Sequence, residues 1–427
     1  MTETRVFFNF DVTADSHTLA AYRQRGGYQA LEKVLKGMQP IDVENEVKAS
    51  GLRGRGGAGF PTGMKWSFVN KQSPVIYLCC NADEGEPGTF KDRWIFENTS
   101  HQLIEGMIIA SYALKVRHSF IYIRGEFDLP YRRLMEALKE AKEAGLVGEK
   151  ILGTEFSCDI IVHQGGGAYV CGEESSLLTS IEGFKGYPKN KPPFPAVKGL
   201  YQKPTVINNV ETLATIPWIL ANGGATYAAI GTEKCSGTKL FGVSGHVNRP
   251  GLFEKPMGYS YKKLIYEDCG GILGGKELKA VIPGGSSTPV LLPSEIETLT
   301  MDAEAVQAAG SMLGSGGVIV IAEGTCMVRL LQVLSRFYAH ESCGQCTPCR
   351  EGSAWMNDII TRISRGKGVK GDLERLECIT KGIMGNTVCA LGDAASMPVN
   401  GFLKKFRHEF EYFIEHGRSM YDGRLEI

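Results

Sequence analysis

The order of apolar and polar positions divides the chain into three stretches of different character. Residues 75–80 (Val-Ile-Tyr-Leu-Cys-Cys), 119–123 (Ser-Phe-Ile-Tyr-Ile) and 158–163 (Cys-Asp-Ile-Ile-Val-His) are apolar runs of strand length. Runs of this kind mark strands buried on both faces of a parallel sheet. Between them, 101–115 reads as a buried helix and 129–144 as a helix with an Ala/Leu face and a Lys/Glu face. A further helix is predicted over 173–181, and Asn208-Asn209 opens another with an Asn at its N-cap. Alternating strands and helices imply an α/β layer. From 238 to about 323 the pattern changes to short strands, Gly/Pro turns and one helix near 259–267, ending in the run 317–322. Beyond 325 only helical periodicity remains, over about 325–341, 348–364, 372–384 and 390–415. The expected organisation is an α/β domain over 1–237, a small α+β domain over 238–324 and a helical bundle over 325–427.

Glycine adds what periodicity does not show. Residues 51–66 (Gly-Leu-Arg-Gly-Arg-Gly-Gly-Ala-Gly-Phe-Pro-Thr-Gly-Met-Lys-Trp) hold six glycines among Arg53, Arg55 and Lys65. Successive free backbone N–H groups in such a loop form an anion cradle, which the cations reinforce. Pro61 is suited to the first position of a following helix. A phosphate or pyrophosphate site is the chemical reading. Gly54, Arg55, Gly56, Gly57, Ala58 and Gly59 also match G-x-G-x-x-G. The dinucleotide fingerprint requires a strand before the glycines. Here 41–50 reads as a short helix and the first clear strand follows the loop, so the order is not that of the ordinary dinucleotide fold.

Two more polar stretches follow strands. Asn81, Asp83, Glu84 and Glu86 come directly after the first run, at the end of the strand where α/β proteins hold ligands. Residues 165–174 (Gly-Gly-Gly-Ala-Tyr-Val-Cys-Gly-Glu-Glu) follow the third, with Tyr169 suited to a flat ring. Glu173 and Glu174 equally suit a plain helix start. Phe60, Phe68 and Phe194 flank Gly- or Pro-rich segments, where they either sandwich a base or simply pack.

Charge and cysteine content narrow the chemistry. Lys+Arg and Asp+Glu are both 47, so nothing overall points to nucleic acid. No apolar run reaches membrane-spanning length, and the first ten residues lack a signal-peptide core, so a cytosolic protein is expected. Twelve cysteines there are thiols or metal ligands rather than disulfides. Cys343, Cys346 and Cys349 form two C-x-x-C steps sharing one residue, the ligand spacing of a cubane iron–sulfur cluster. Zinc is the rival, but structural zinc more often uses paired knuckles. Cys378, within a helical pattern where it would be core, and Cys389, in a turn, are the candidates for a fourth ligand. Cys79, Cys80, Cys158, Cys235, Cys269 and Cys326 lack ligand spacing and read as core.

Taken together, 51–66, 81–93, 165–174, 208–213, 341–352 and 389–393 resemble the family of NADH-binding flavoprotein subunits of respiratory complex I, the NADH:quinone oxidoreductase. Met64 and Gly85 stand where that family often has Leu and Ser. The resemblance implies a Rossmann-like domain with a mainly parallel sheet binding FMN and NADH, a ubiquitin-like α+β domain, and a bundle carrying one [4Fe–4S] cluster. It implies that Gly54, Gly56, Gly57, Lys65, Asn81, Asp83, Tyr169, Gly172, Glu173, Asn208 and Asn209 line FMN, and that Phe60, Phe68 and Phe194 stack on adenine. Arg55, Ala58, Gly59 and Glu84 belong to the same cofactor-binding segments. Glu86 and Glu174, counted as the catalytic residues, would contact NADH together with Lys191. Cys343, Cys346, Cys349 and Cys389 would hold the cluster. The implied reaction is hydride transfer from NADH to FMN, then single-electron transfer to the cluster; no side chain need act as acid or base for the hydride. The implied partners are a thioredoxin-like [2Fe–2S] subunit and the larger iron–sulfur subunit of the peripheral arm. The implied place is peripheral, on the inner face of the plasma membrane, with no direct insertion. A diaphorase subunit of a soluble NAD-linked hydrogenase or formate dehydrogenase shares these motifs and is the alternative.

Overall fold

A computed structural model describes residues 4–421. Three short helices, α1 (Leu19–Gln24), α2 (Gln29–Gly37) and α3 (Pro40–Ala49), lead to the glycine loop, and α4 (Thr62–Ser67) follows it. Next come β1 (Tyr77–Ala82), α5 (Lys91–Leu114), β2 (His118–Ile123), α6 (Asp128–Glu143) and β3 (Asp159–Gln164). The α/β layer closes with α7 (Glu174–Ile181), β4 (Thr205–Asn209) and α8 (Val210–Asn222). The sheet is wholly parallel in the order β3-β2-β1-β4. That is the strand order of half a dinucleotide-binding sheet. The glycine loop nevertheless precedes β1 in the chain, as the sequence implies, and reaches the site from beside β4.

The three strands read from apolar runs are present, each within two residues of its expected limits. Strand β4 is not foreseen: Thr205-Val-Ile is brief, preceded by Lys-Pro and followed by Asn-Asn, which reads as a loop running into a helix. Its register with β1 sets Asn209 opposite Asn81 at the carboxyl ends of both strands.

Helix α5 begins at Lys91, ten residues before the predicted start. The Glu84 carboxylate caps it, accepting the N–H groups of Lys91, Asp92 and Arg93 at 2.9–3.1 Å. Its apolar length is buried against α8. Gly106 is required there, because a Cβ would stand 2.0 Å from the Leu213 carbonyl oxygen. Each fully buried aliphatic side chain in this layer contributes about 1.5–3 kcal/mol.

The second domain holds β5 (Thr238–Gly245), β6 (Gly251–Pro256), β7 (Leu278–Ile282) and β8 (Gly317–Ala322). They form a mixed sheet in the order β6-β5-β8-β7, with β5 and β8 parallel. The bundle comprises α9 (Met327–Glu341), α10 (Thr347–Ser364), α11 (Asp372–Ile383) and α12 (Leu391–His416), close to the predicted limits. A buried ion pair, Lys279–Glu409 at 2.5 Å, ties the second domain to the bundle. At the opposite side Glu254 of β6 accepts the backbone N–H groups of Val6, Phe7 and Phe8, fastening the N-terminal segment.

Candidate functional site

The glycine loop is pinned at both ends, with the Gly59 carbonyl accepting Arg53 Nε at 2.7 Å, and left unpaired at four amides between them. Gly54 N–H donates to the Phe60 carbonyl at 2.8 Å, and Arg55 N–H donates to Thr212 Oγ1 at 2.9 Å. Among the described residues the N–H groups of Gly56, Gly57, Ala58 and Gly59 have no acceptor. Gly57 and Gly59 adopt φ of 130° and 65°, a backbone that favours glycine. Four unpaired amides in succession are available to an anion. The Arg55 side chain departs from expectation: it is buried and donates to Tyr227 Oη and the Ser236 carbonyl, so only its backbone lines the loop. Pro61 is the N-cap of the six-residue α4 rather than its first residue, and that helix is too short to supply an anion site.

Across from the loop lie the ends of β1 and β4. Asn81 Nδ2 donates to the Gly172 carbonyl at 2.8 Å, and its Oδ1 accepts Asp83 N–H. That joins the acidic turn to the third glycine segment. Burial pushes the Asp83 carboxyl up to about 7, with Arg124 opposing and Glu126 and Glu341 adding to the rise. Its Oδ2 is buried and has no partner. A buried orphan acceptor costs free energy unless a ligand donor or a proton completes it. Asn208 Oδ1 accepts Trp66 Nε1 at 2.9 Å, and Asn209 caps α8 while donating to Asp92 Oδ2 at 2.7 Å. Glu84 is not at the site surface; it is the buried cap of α5, pushed up by burial and by the Asp92 carboxylate.

Glu173 and Glu174 take different parts. Glu173 is the N-cap of α7, accepting Ser175 and Ser176 N–H, as the plain helix-start reading required. Glu174 lies between two cations, Lys65 at 3.3 Å and Lys191 at 2.7 Å, and Lys191 also meets Glu173 at 2.8 Å. One charge cluster therefore joins the glycine loop's helix, α7 and the proline-rich segment. Phe60 and Phe68 stand with ring centroids 6.1 Å apart and are 45% and 57% exposed, an aromatic pair open to solvent at the mouth. Phe194 is also exposed, but makes no ring contact with them.

Tyr169 joins all three domains. Its hydroxyl donates to Glu86 Oε2 and its N–H to Glu341 Oε2, while its ring packs edge-on against Phe337 and Tyr338 of α9. Glu86 Oε1 in turn accepts Ser287 N–H of the second domain at 2.7 Å. Tyr169 thus has its ring on the bundle rather than open for stacking.

The cysteine loop lies against this same face. Cys349 belongs to one apolar cluster with Val170, Cys171, Leu178 and Leu391, and Cys343, Cys346 and Cys389 pack at its edge. Cys378 is exposed on α11, so it is neither core nor part of this group. Among the described residues no three Cys, His, Asp or Glu side chains close on the position of a single ion. Four thiols gathered at one apolar cluster match in number and kind the donors that a cubane cluster takes. The six cysteines without ligand spacing are all buried. Arg350 donates to the Gly344 carbonyl inside the loop and pairs with Glu351.

Sequence reasoning missed a buried charge group behind the glycine loop: Lys91, Asp92, Glu211 and Lys239. The Lys-Asp pair following Phe90 and the Glu two residues after Asn209 were visible, but Lys239 carries no sequence signal.

The family described as the Nuo51 FMN-binding domain matches residues 47–218, the SLBB domain matches 239–321, and the NADH-ubiquinone oxidoreductase-F iron-sulfur binding region matches 329–413. The chain is 53% identical over 419 residues to an F subunit (number 2) of the NADH-quinone oxidoreductase of Rhizobium meliloti (strain 1021), covering 98% of this chain and 99% of that one. It is 49% identical to the NADH-quinone oxidoreductase F subunit of Rickettsia bellii (strain OSU 85-389), covering 97% and 99%. Among solved structures, a chain of an NAD+-reducing [NiFe]-hydrogenase in its H2-reduced state superposes with a TM-score of 0.84 at 35% identity, over 93% of this chain and 67% of that one.

Proposed function

This chain belongs to the family of NADH-quinone oxidoreductase F subunits, and on that premise we propose that it is the electron-input component of respiratory complex I, an NADH dehydrogenase carrying FMN and one [4Fe–4S] cluster. The observation that carries the reading is a run of four unpaired amides at Gly56–Gly59, with Gly56 beside Asn209 at the end of β4, together with four thiols gathered at one apolar cluster. When bound, FMN supplies two-electron acceptance with one-electron release, and the cluster supplies a one-electron carrier.

The chain's own residues bind and orient. The unpaired amides of 56–59 would hold the phosphate, and the unpartnered Asp83 Oδ2, with Asn81 and Asn209, would supply polar contacts to the rest of the flavin. Glu86, Glu174 and Lys191 hold the nicotinamide nucleotide, and the exposed Phe60, Phe68 and Phe194 receive its adenine. Cys343, Cys346, Cys349 and Cys389 ligate the cluster. These residues would contribute to catalysis by binding and orienting the two cofactors rather than by acid–base chemistry. The domain limits 1–237, 238–324 and 325–427 are our division; one core lies almost wholly in the first, one in the second, and the bundle's core continues into Ala280, Ile282, Val290 and Ile321 of the second.

We place the chain in a complex with a thioredoxin-like [2Fe–2S] subunit and a larger iron–sulfur subunit, peripheral on the inner face of the membrane. No helix among the described residues is long and apolar enough to cross a membrane. The hydrogenase diaphorase is the second reading, favoured by the structural match. The coverage of 98–99% on both sides with the Rhizobium meliloti relative, against 67% of the hydrogenase chain, sets it below the first. The test is purification of the chain from its host with whatever accompanies it. Flavin and iron–sulfur absorbance, NADH-dependent ferricyanide reduction and co-purifying iron–sulfur subunits are expected. A colourless protein, or one accompanied by a nickel-containing subunit, overturns the assignment.

A further inference from the structure

Behind the glycine loop lies a group of charges almost wholly removed from solvent, Lys91, Asp92, Glu211 and Lys239. Lys239 of β5 is buried, and its Nζ stands 3.3 Å from the Arg55 carbonyl oxygen and 3.3 Å from Glu211 Oε2. Glu211 is held in turn by Lys91 at 3.0 Å and by Leu240 N–H at 2.8 Å. Burial alone would raise the Glu211 carboxyl, but Lys239, Lys91 and Arg55 hold it below the usual carboxylate range. Lys239 is pushed down to about 8 by burial and by the Lys91 and Arg55 charges, against the pull of Glu211.

The arrangement has a direction. Arg55 is the residue just before the four free amides, and both of its peptide groups are fixed: N–H by Thr212 Oγ1, and C=O by the Lys239 ammonium. The Arg55 carbonyl and the Gly56 N–H belong to one planar peptide unit. Whatever orients that carbonyl therefore orients the first amide of the cradle. The ammonium comes from the second domain, which also reaches the far end of the loop through Glu304, paired at 2.7 Å with Arg53, whose Nε donates to the Gly59 carbonyl. Its cation also lies behind the site where a phosphate would sit, in surroundings of low dielectric where charge acts strongly.

We propose that Lys239 is a positioning residue for FMN, through which the second domain sets the orientation of the Arg55–Gly56 peptide and so the affinity of the phosphate cradle. This rests on the FMN assignment given above. It would make the second domain a part of the flavin site, acting from behind the loop through the Arg55 carbonyl.

The test uses the assembled complex containing the full chain, depleted of flavin and titrated with FMN while flavin fluorescence is followed. Three variants are compared: Lys239→Met, which removes the ammonium and keeps the stem; Thr212→Val, which removes the hydroxyl on the other side of Arg55; and Lys279→Met. The last breaks the equally buried Lys279–Glu409 pair on the far side of the same domain. The FMN dissociation constant should rise more than tenfold in Lys239→Met and more than threefold in Thr212→Val. It should stay within twofold in Lys279→Met even though that variant unfolds at lower temperature. A change of threefold or less in Lys239→Met, or an equal rise in Lys279→Met, overturns the proposal. Should Lys239→Met fail to assemble, Thr212→Val decides, and a change within twofold is then the overturning result. If the unaltered complex itself takes up no FMN, the functional assignment fails rather than the role of Lys239.

Discussion

The Tyr169 hydroxyl donates a 2.5 Å hydrogen bond to Glu86 Oε2, across 83 residues of sequence. Tyr169→Phe leaves that carboxylate oxygen without its donor in a mostly buried setting. The cost of an unsatisfied buried acceptor is about 1–3 kcal/mol. We expect a lower unfolding temperature and, with Glu86 less well fixed, a severalfold higher KM for NADH in ferricyanide reduction, with flavin content unchanged. An unaltered KM would remove Glu86 from the nucleotide site.

Removing one thiolate should separate the two halves of the chemistry. Cys389→Ala leaves one iron of the cluster without a ligand. Cluster iron and transfer to the natural acceptor should be lost, while FMN and ferricyanide reduction persist, because the α/β layer has its own core. Cys378 is exposed, so Cys378→Ala should change stability by no more than about 0.5 kcal/mol and leave iron content intact. Iron retained in the first variant or lost in the second would assign the fourth ligand differently.

Asp83 gives the flavin-depleted protein a pH dependence of definite sign. Its folded carboxyl titrates at about 7, above its ordinary value of 3.8, so between those limits the folded chain holds a proton that the unfolded chain has lost. Stability from this group therefore falls as pH rises through that window, by up to about 1.4 kcal/mol per unit, and levels off above pH 7. Asp83→Asn should be the more thermostable of the two at pH 8 and lose that advantage toward pH 5. Parallel melting curves across this range would contradict the burial argument.

Glu174 stands between Lys65 and Lys191 and balances their charge. NADH should be preferred over NADPH, because a carboxylate there opposes a 2′-phosphate. Glu174→Gln leaves two cations facing one neutral group, and the ratio of kcat/KM for the two nucleotides should fall about tenfold. Equal catalytic efficiency for both nucleotides in the unaltered protein would show that Glu174 lies away from the ribose.

What could be read from the sequence follows the range of the forces involved. Helices α9 to α12 and strands β1 to β3 carry local periodicity, so their limits were nearly right. Strand β4 owes its existence to pairing with β1, far off in the chain, and its own five residues do not disclose it. The free amides of 56–59 were legible because glycine needs no partner to reveal its purpose. The side chains of Arg55 and Glu84 were misjudged for the opposite reason. A charged residue in a ligand-binding segment looks like a ligand contact until its buried partners, Tyr227 for one and the start of α5 for the other, are seen. Lys239 was out of reach altogether, since its significance lies in a carbonyl oxygen 184 positions earlier.

The four cysteines border an apolar cluster built from two distant parts of the chain: Val170 and Leu178 from the first domain, Cys349 and Leu391 from the bundle. A ligand that binds only the docked arrangement stabilises it by mass action. An iron–sulfur cluster held by those cysteines would therefore strengthen the seating of the bundle on the α/β layer, and its removal would loosen that contact before either core.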